Sequence, residues 1–562
     1  MKYRYYAQHM HMHSCYQPGA SMEGHMYHAR NLDMKYIWIT DHDNRMGRKK
    51  YEIDGFTFEA KKMFAAGPTG LKSGFLPLQE NQTGCVELTK EDAYTGKKCM
   101  RLWTGNETDS WMGTGVYFHS DGKRHCASLL AGIRLQLAYK VKCGNLENAR
   151  LIFDVRLSER PPEHTRAHIL YVVGNADGLD KEPHTLVIPL DGKAQWQETV
   201  FELSADVLSE AARKNDLGGL DNAFDTLTIR VESRCGEEIT VWIDDFTKHV
   251  QRSAQETIEM QKAVAAEIGK QYGVVPFVAK EISAAGPHKN CFGTSVPVIP
   301  YEAMGYEVSH EQACEWVKRH GGIFALNHPF EKYKRMNLTN IDYNTETEQL
   351  AKEYIDNNCW GATLIEVGFP QGRCFPLDCY LRLWDLLSLH GMFLTGYGSS
   401  DNHSNQPEKW YQGNNFATWL GVEIRDDEQK EEDFLLAMKS GRAYMGDPVR
   451  IKGEIILESC EGAPMGSVVE VNAPDKKQVS FAADCLEAGW CLKWIVNGEV
   501  QKESVIGAKS WEESCFVETT LPVNLVRVEL YDEEHRCILL TNPVYFYRKD
   551  LGVPDIPEER RI

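Results

Sequence analysis

Hydrophobic positions recur along this chain in two rhythms, and the places where one gives way to the other mark its organisation. The opening stretch "AQHMHMHSC" alternates with period two, so His9, His11 and His13 share one face of a predicted strand and Met10 and Met12 take the other. The segment "SMEGHMYHARNL" then reads as an amphipathic helix, and "KYIWIT" follows as a short apolar strand running into "DHDN". This βα rhythm stops at Asp43 and resumes near residue 253. There "SAQETIEMQKAVAAEIGKQYG" is an amphipathic helix closed by Gly273, with "VVPFVA" as the buried strand after it. Helices at "SHEQACEWVKRHGG", "LDCYLRLWDLLSLHG" and "EEDFLLAMKSG" alternate with strands at "IFALNHP", "ATLIEVGF" and "MFLTGYGSSD". Repeated βα units predict an α/β fold around a parallel sheet, open or closed into a barrel.

Between the two α/β halves the pattern becomes short strands separated by turn residues, among them "LQLAYKVKC", "ARLIFDVRL", "AHILYVVG" and "EITVWIDDF". That spacing predicts a β-sandwich inserted in a loop of the α/β unit. Further on, "RIKGEIILES", "VSFAADC", "LKWIVNG" and "LVRVELYDE" predict a second, smaller sandwich. The expected division is 1–50 and 253–445 for the α/β unit, 51–252 for the insert and 446–562 for the C-terminal sandwich. A chain of 562 residues accommodates this, being too long for one ordinary core.

Composition narrows the function classes. A hydrophobic share of 42% with 25% charged residues is that of a soluble globular protein. The net charge of -19 lacks the concentrated basic field of a nucleic-acid surface, so no nucleic-acid partner is expected. No apolar run approaches a membrane span, and the N-terminus lacks the apolar core of a secretory signal. The 16 cysteines are scattered, with no CxxC pair, and read as reduced thiols of a cytoplasmic protein.

The candidate chemistry lies at the C-terminal ends of the predicted strands, where parallel α/β sheets carry their active sites. The first strand ends in His11 and His13, "KYIWIT" in Asp41 and His42, and "VVPFVAK" in Glu281 with His288 beyond it. "IFALN" ends in His328, "ATLI" in Glu366, and "MFLTGYGSS" in Asp401 with His403 following. Any one of these alone is more readily a capping carboxylate or a hydrogen-bonded histidine than a ligand. Their recurrence at one end of successive strands points to nitrogen and oxygen ligands for two or three ions of the zinc, manganese or iron type.

The ordered motifs "HMH", "ITDHDN", "LNHPF" and "GSSDNH" resemble those of the PHP (polymerase and histidinol phosphatase) superfamily. "AKEIS" followed by "HKNCFG" looks like that family's glutamate strand and GHxN-type loop. The resemblance covers residues 1 to about 50 and about 253 to 445, and it implies a distorted (β/α)7 barrel with divalent metals at its strand ends. Carried over by motif, His11, His13, Glu281 and Asp401 would hold one ion. Glu281 would bridge to a second held by His288 and His328, and His42 and His403 would hold a third. Where the family supplies a further Asp or His, this chain has Gln17 or Pro18, which are poor donors. Glu23, His25 and His28 follow nearby, the two histidines on a predicted helix, and His9 is expected to support the ligands beside it.

The resemblance further implies hydrolysis by attack of a metal-bound hydroxide, with His403 or His42 protonating the leaving group. Ser399 and Ser400 read as turn residues. The expected substrate is a small phosphomonoester or phosphodiester, sugar-linked or otherwise. Cations follow the motifs: Arg45, Arg48, Lys49 and Lys50 after His42, and Lys332, Lys334 and Arg335 after His328, with Arg45 nearest a ligand. Within the insert, "AYTGKKCMRL", "WQETVFELS" and "ITVWIDDF" resemble galactose-binding-like and carbohydrate-binding modules of the jelly-roll type. Trp103, Trp111 and Trp196 are there either sugar platforms or core aromatics. Two other functions fit the same residues: hydrolysis of an ester or carbamate, as by CehA/McbA-type relatives, and non-catalytic carbohydrate binding on a degenerate barrel.

Overall fold

The computed structural model describes residues 3–14, 21–43, 58–59, 62, 64–66, 72–78, 83–120, 128–129, 133–157, 167–181, 184–203, 223–250, 254–283, 288–304, 308–333, 339, 341–368, 375–403, 410, 416–425, 428–552 and 555–562. The α/β unit contributes strands β1 (Tyr3–Met12), β2 (Tyr36–Ile39), β3 (Val275–Val278), β4 (Lys280–Ile282) and β5 (Lys289–Phe292). It continues with β6 (Ile323–Leu326), β7 (Leu364–Gly368), β8 (Thr395–Gly398), β9 (Ala417–Glu423) and β10 (Ala443–Gly446). Its helices are α1 (Met22–Asn31), α2 (Ala254–Tyr272), α3 (His310–Arg319), α4 (Tyr343–Asp356), α5 (Leu377–Leu389) and α6 (Glu431–Ser440). Local chemistry sets their ends. Ser21, Ser309 and Asp342 accept backbone N–H groups as N-caps of α1, α3 and α4. Gly273 and Gly441 leave α2 and α6 with φ of 69° and 70°, a conformation that costs glycine nothing.

A closed (β/α)7 barrel is not what the backbone ladders draw. The strands fall into two sheets, one in the order β3-β2-β1-β9-β10 and the other β4-β5-β6-β7-β8. Only β1–β2, β2–β3, β6–β7 and β7–β8 pair in parallel, while β4–β5, β5–β6, β1–β9 and β9–β10 are antiparallel. The few residues between Ile282 and Lys289 are too short for the crossover a parallel pair needs, which forces a hairpin-like return. The sheets are linked where β3 passes into β4 through Ala279, and β8 meets β9 where Gly398 N donates to Thr418 Oγ1 at 2.9 Å. Met10, Trp38, Phe277, Phe292, Ala325, Leu364, Tyr397 and Leu420, drawn from strands of both sheets, pack into one buried cluster between them. That packing gives the strand ends a common floor.

Residues 64–250 form an eight-stranded and a five-stranded sheet. Val116, Leu151 and Ile229 of one meet Leu102, Leu137 and Val241 of the other in a single core, a β-sandwich. Beyond residue 446, Ile455–Ser459, Lys476–Ala483 and Trp511–Glu518 make a three-stranded sheet. The other C-terminal strands do not stand apart: Cys537–Thr541 pairs with β10, so the β3–β10 sheet extends to eleven strands. One continuous apolar core, from Ile37 to Leu540, fills both parts. Among the described residues no helix is long and apolar enough to cross a membrane.

Candidate metal centre

The alternation of β1 sends His11 and His13 to the end of the strand on one side. The partner strand leaves beside it: Thr40 N donates to Met12 O at 2.8 Å, and Glu281 N donates to Asp41 O at 2.9 Å. His42 and Glu281 are thereby bridged in parallel. His328 and Asp401 leave their strands with φ of 38° and 48°, left-handed conformations that non-glycine residues rarely adopt and that turn both side chains into the cluster.

Glu281 is the hub. Its Oε1 lies 3.3 Å from His11 Nε2, 3.2 Å from His288 Nδ1 and 3.3 Å from His328 Nε2. Its Oε2 lies 2.6 Å from His42 Nδ1 and 3.5 Å from His13 Nε2. Asp401 Oδ1 is 2.9 Å from His13 Nε2, 3.6 Å from His11 Nε2 and 3.4 Å from His403 Nδ1, and the His403 ring stacks on His13 at 4.0 Å. Six of the eight expected ligands thus meet at Glu281, and Asp401 and His403 join them through His13 and each other. The donor atoms of His13, His42 and His403, of His11, His13 and Glu281, and of His42, Glu281 and His288 each converge closely enough for a single ion.

The electrostatics suit a cation. Burial raises the carboxyls of Glu281 and Asp401, but the surrounding imidazoles outweigh it and hold both well below the usual range. Burial favours neutral imidazoles: His13 is pushed well down, whereas at His11 the charge and hydrogen bond of Glu281, the hydrogen bond to Glu366 and the charge of Asp401 overcome burial and raise the ring to about 9. His11 Nε2 and His13 Nε2 face each other at 3.2 Å, and ionised carboxylates converge on the same space. Once a bound cation displaces the protons that the carboxylates draw to His11 and His328, imidazole nitrogens and anionic oxygens in such a cluster fit zinc, manganese or iron rather than a structural thiolate site. His288 and His403, with side chains 28% and 29% exposed, form the mouth, while the other ligands line the floor.

Several partners went unassigned in the sequence. Glu366, noted only as a strand end, lies 3.1 Å from His11 Nδ1 and 2.6 Å from His328 Nδ1, and its oxygens also accept from His328 N at 2.7 Å and from the Ser399 hydroxyl. Ser399 and Ser400 are therefore not mere turn residues, since Ser400 Oγ sits 2.6 Å from His9 Nε2. Glu331 joins His288 and His328 in a further ligand group. Asp41 accepts from Ser14 N at 2.6 Å and Gln261 Nε2 at 2.5 Å, tying β1 to α2. The "LNHP" motif carried a signal for Asn327, whose Nδ2 donates to Glu281 Oε1 at 3.0 Å.

His9, His25 and His28 pack their rings around Trp410, and His25 Nε2 lies 3.0 Å from His13 O, so they buttress the cluster from behind. Glu23 accepts from the Tyr272 hydroxyl at 2.8 Å. Lys332 pairs with Glu353 at 2.8 Å on the surface. Arg45, Arg48, Lys49, Lys50, Lys334, Arg335, Gln17 and Pro18 lie outside the described residues. In the sandwich, Trp111 lies between the guanidinium groups of Arg150 and Arg234, 4.1 and 4.5 Å from its ring, and Trp196 packs beside Tyr94 at 5.5 Å. Trp103 is half-buried.

No family model matches the chain, and no curated protein does. Solved structures similar to parts of it include a carbohydrate-binding module of the β-sandwich superfamily, 13% identical over 38% of this chain and 64% of that one, with a TM-score of 0.22. A family 30 carbohydrate-binding module of a cellulosomal cellulase from Clostridium thermocellum is 13% identical over 37% of this chain and 96% of that one, with a TM-score of 0.21. Modules of an endo-1,4-β-D-xylanase from the same organism are 13% identical over 36% of this chain and 29% of theirs, with a TM-score of 0.21. The chain thus spans less than two thirds of the first and third of these.

Proposed function

We propose that this chain is a metal-dependent hydrolase of the PHP type acting on a small phosphoester, its two α/β sheets serving as a distorted barrel and its insert as a module of carbohydrate-binding type. The observation that carries this reading is the convergence of five imidazole nitrogens on Glu281 within 2.6–3.5 Å. His11, His13, His42, Glu281, His288, His328, Asp401 and His403 would hold two or three divalent ions. Such ions, when bound, supply Lewis acidity toward phosphoryl oxygens and a water of lowered pKa. The remaining work belongs to the protein. Glu281 and Asp401 hold their imidazole neighbours in place, Glu366 orients His11 and His328, and the packed floor excludes bulk water. His403 at the mouth and His42 beside it are placed to hand a proton to a departing oxygen. Arg45 is the proposed phosphate contact. Cytoplasmic residence remains part of the proposal.

A second reading, ester or carbamate hydrolysis, is favoured by the engagement of Lys332 with Glu353, which takes one expected phosphate-binding cation away from the cluster. Hydrolysis of aryl phosphomonoester, phosphodiester, ester and carbamate by manganese- or zinc-loaded protein separates the readings, with Asp401→Ala as the blank. Turnover of a phosphate substrate that the blank lacks is expected. Turnover confined to ester or carbamate would transfer the assignment to the second reading, and inertness toward all four would leave the metal content to decide between an enzyme of narrow specificity and a non-catalytic carbohydrate-binding protein.

A further inference from the structure

A second cavity, of about 620 Å³, opens at the other end of β1, where Tyr3, Tyr5, Arg442, Ile456, Glu458 and Arg561 line it. Tyr5 and His11 are six residues apart on an extended strand, about 20 Å at roughly 3.3 Å per residue, so this space is separate from the metal centre. Arg442 follows the left-handed Gly441 that ends α6, which turns its side chain inward to 9% exposure. Its Nε donates to Gly421 O at 3.1 Å, and its guanidinium lies 4.6 Å from the centre of the Tyr3 ring. Among the described residues its terminal N–H groups donate to no protein acceptor, and the Glu423 carboxylate acts on it only from beyond ion-pair distance.

That isolation is unlike the chain's treatment of other buried arginines. Arg527 is gripped by Asp385 and Glu529, Arg150 by Glu232, and Arg560 by Gly466 O and the Thr395 hydroxyl. The terminal N–H groups of Arg442 are not sealed in the protein but open to the cavity, where a ligand can supply acceptors in place of water. The planar fork matches a carboxylate through two parallel hydrogen bonds, and the cavity is of the size that holds a small molecule. We propose that this cavity binds a small organic carboxylate, gripped by Arg442 with its ring or apolar part against Tyr3 and Tyr5. Glu458, on the same lining, offers an acceptor to a hydroxyl or ammonium group of the ligand, which a sugar acid and an amino acid both provide.

Calorimetric titration of the full chain with glucuronate and with phenylalanine, beside glucose and phenethylamine as counterparts lacking the carboxylate, tests this and tells the two sources apart. At least one carboxylate is expected to bind about tenfold or more tightly than its counterpart. Arg442→Lys, which keeps the charge and loses the fork, should weaken it by about tenfold. Ile456→Trp fills the cavity while leaving Arg442 in place and should abolish binding, which keeps the test decisive if Arg442→Lys does not fold. Asp401→Asn, in the metal centre, should leave binding unchanged. The proposal is overturned if neither carboxylate binds at about 10 mM, if binding survives Ile456→Trp, or if it disappears with Asp401→Asn.

Discussion

Replacing Tyr397 by phenylalanine deletes one oxygen that touches no metal ligand, and so isolates how the interior holds the hub carboxylate. The Tyr397 hydroxyl donates to Asn327 Oδ1 at 2.8 Å and accepts from Asn290 Nδ2 at 3.3 Å, and Asn327 Nδ2 in turn donates to Glu281 Oε1 at 3.0 Å. The ring is fully buried, and phenylalanine keeps its volume apart from the oxygen. Asn327 Oδ1 retains Asn290 N at 3.1 Å, and Asn290 Nδ2 retains Met10 O at 3.5 Å, so the change strands neither of these two groups. The stability cost should therefore be that of two lost hydrogen bonds, about 1–3 kcal/mol. Partners behind metal ligands contribute roughly 10–100-fold to affinity, and a group acting through one intermediary belongs at the low end, about tenfold or ~1.4 kcal/mol. Competition against a chromogenic chelator measures the affinity, and denaturant unfolding of the chelated protein measures the stability separately. A variant that loses stability while binding metal as tightly as the parent would refute the relay through Asn327.

Glu281→Gln removes the carboxylate shared by five imidazoles while preserving its shape, so metal retained after dialysis should fall to background, and wild-type content by elemental analysis would contradict its place as the hub. Metal added to chelated protein at about 100 times its Kd should stabilise the chain by about 2.7 kcal/mol, read as a raised urea midpoint, and an unmoved midpoint would refute binding to the folded state. Arg527→Met leaves Asp385 and Glu529 buried without their shared guanidinium, at a cost of about 3–5 kcal/mol in denaturant unfolding, and an unchanged midpoint would refute that dependence. In the sandwich, burial pushes the Asp154 carboxyl up, but the hydrogen bond from His168 at 3.0 Å and the charges of His168, Arg156 and Arg230 outweigh it and hold it below its ordinary value. Its stabilisation is thus fully present above the unfolded pKa of about 4 and lost as pH falls through the lower folded value. Asp154→Asn should be less stable than the parent at neutral pH, with a gap that closes only below about pH 4, and a gap that closes on the alkaline side would contradict this sign.

What the sequence determined by itself is what neighbours along the chain can encode. The helical spacing of "SAQETIEMQKAVAAEIGKQYG" and its closing glycine correspond to α2 and Gly273, and the serine before "HEQACEWVKR" caps α3. Alternation placed His11 and His13 on one face of β1, and the acidic and imidazole residues at successive strand ends are those that gather around Glu281, because side-chain direction in a strand follows from the pleat alone. Tertiary structure decided the rest. The division of the α/β strands into two sheets with antiparallel edges depends on which backbones meet, and apolar strands of either kind read alike in sequence. The same holds for the C-terminal strand Cys537–Thr541, whose pairing with β10 continues the first sheet through a segment that reads as a separate sandwich. Glu366 reads like any strand-end carboxylate until β7 sets it against His11 and His328, and Lys332 like a phosphate contact until Glu353 takes it. Arg442 lies in a stretch with no motif. Its open guanidinium depends on a cavity built from residues hundreds of positions apart, and only the folded chain brings them together.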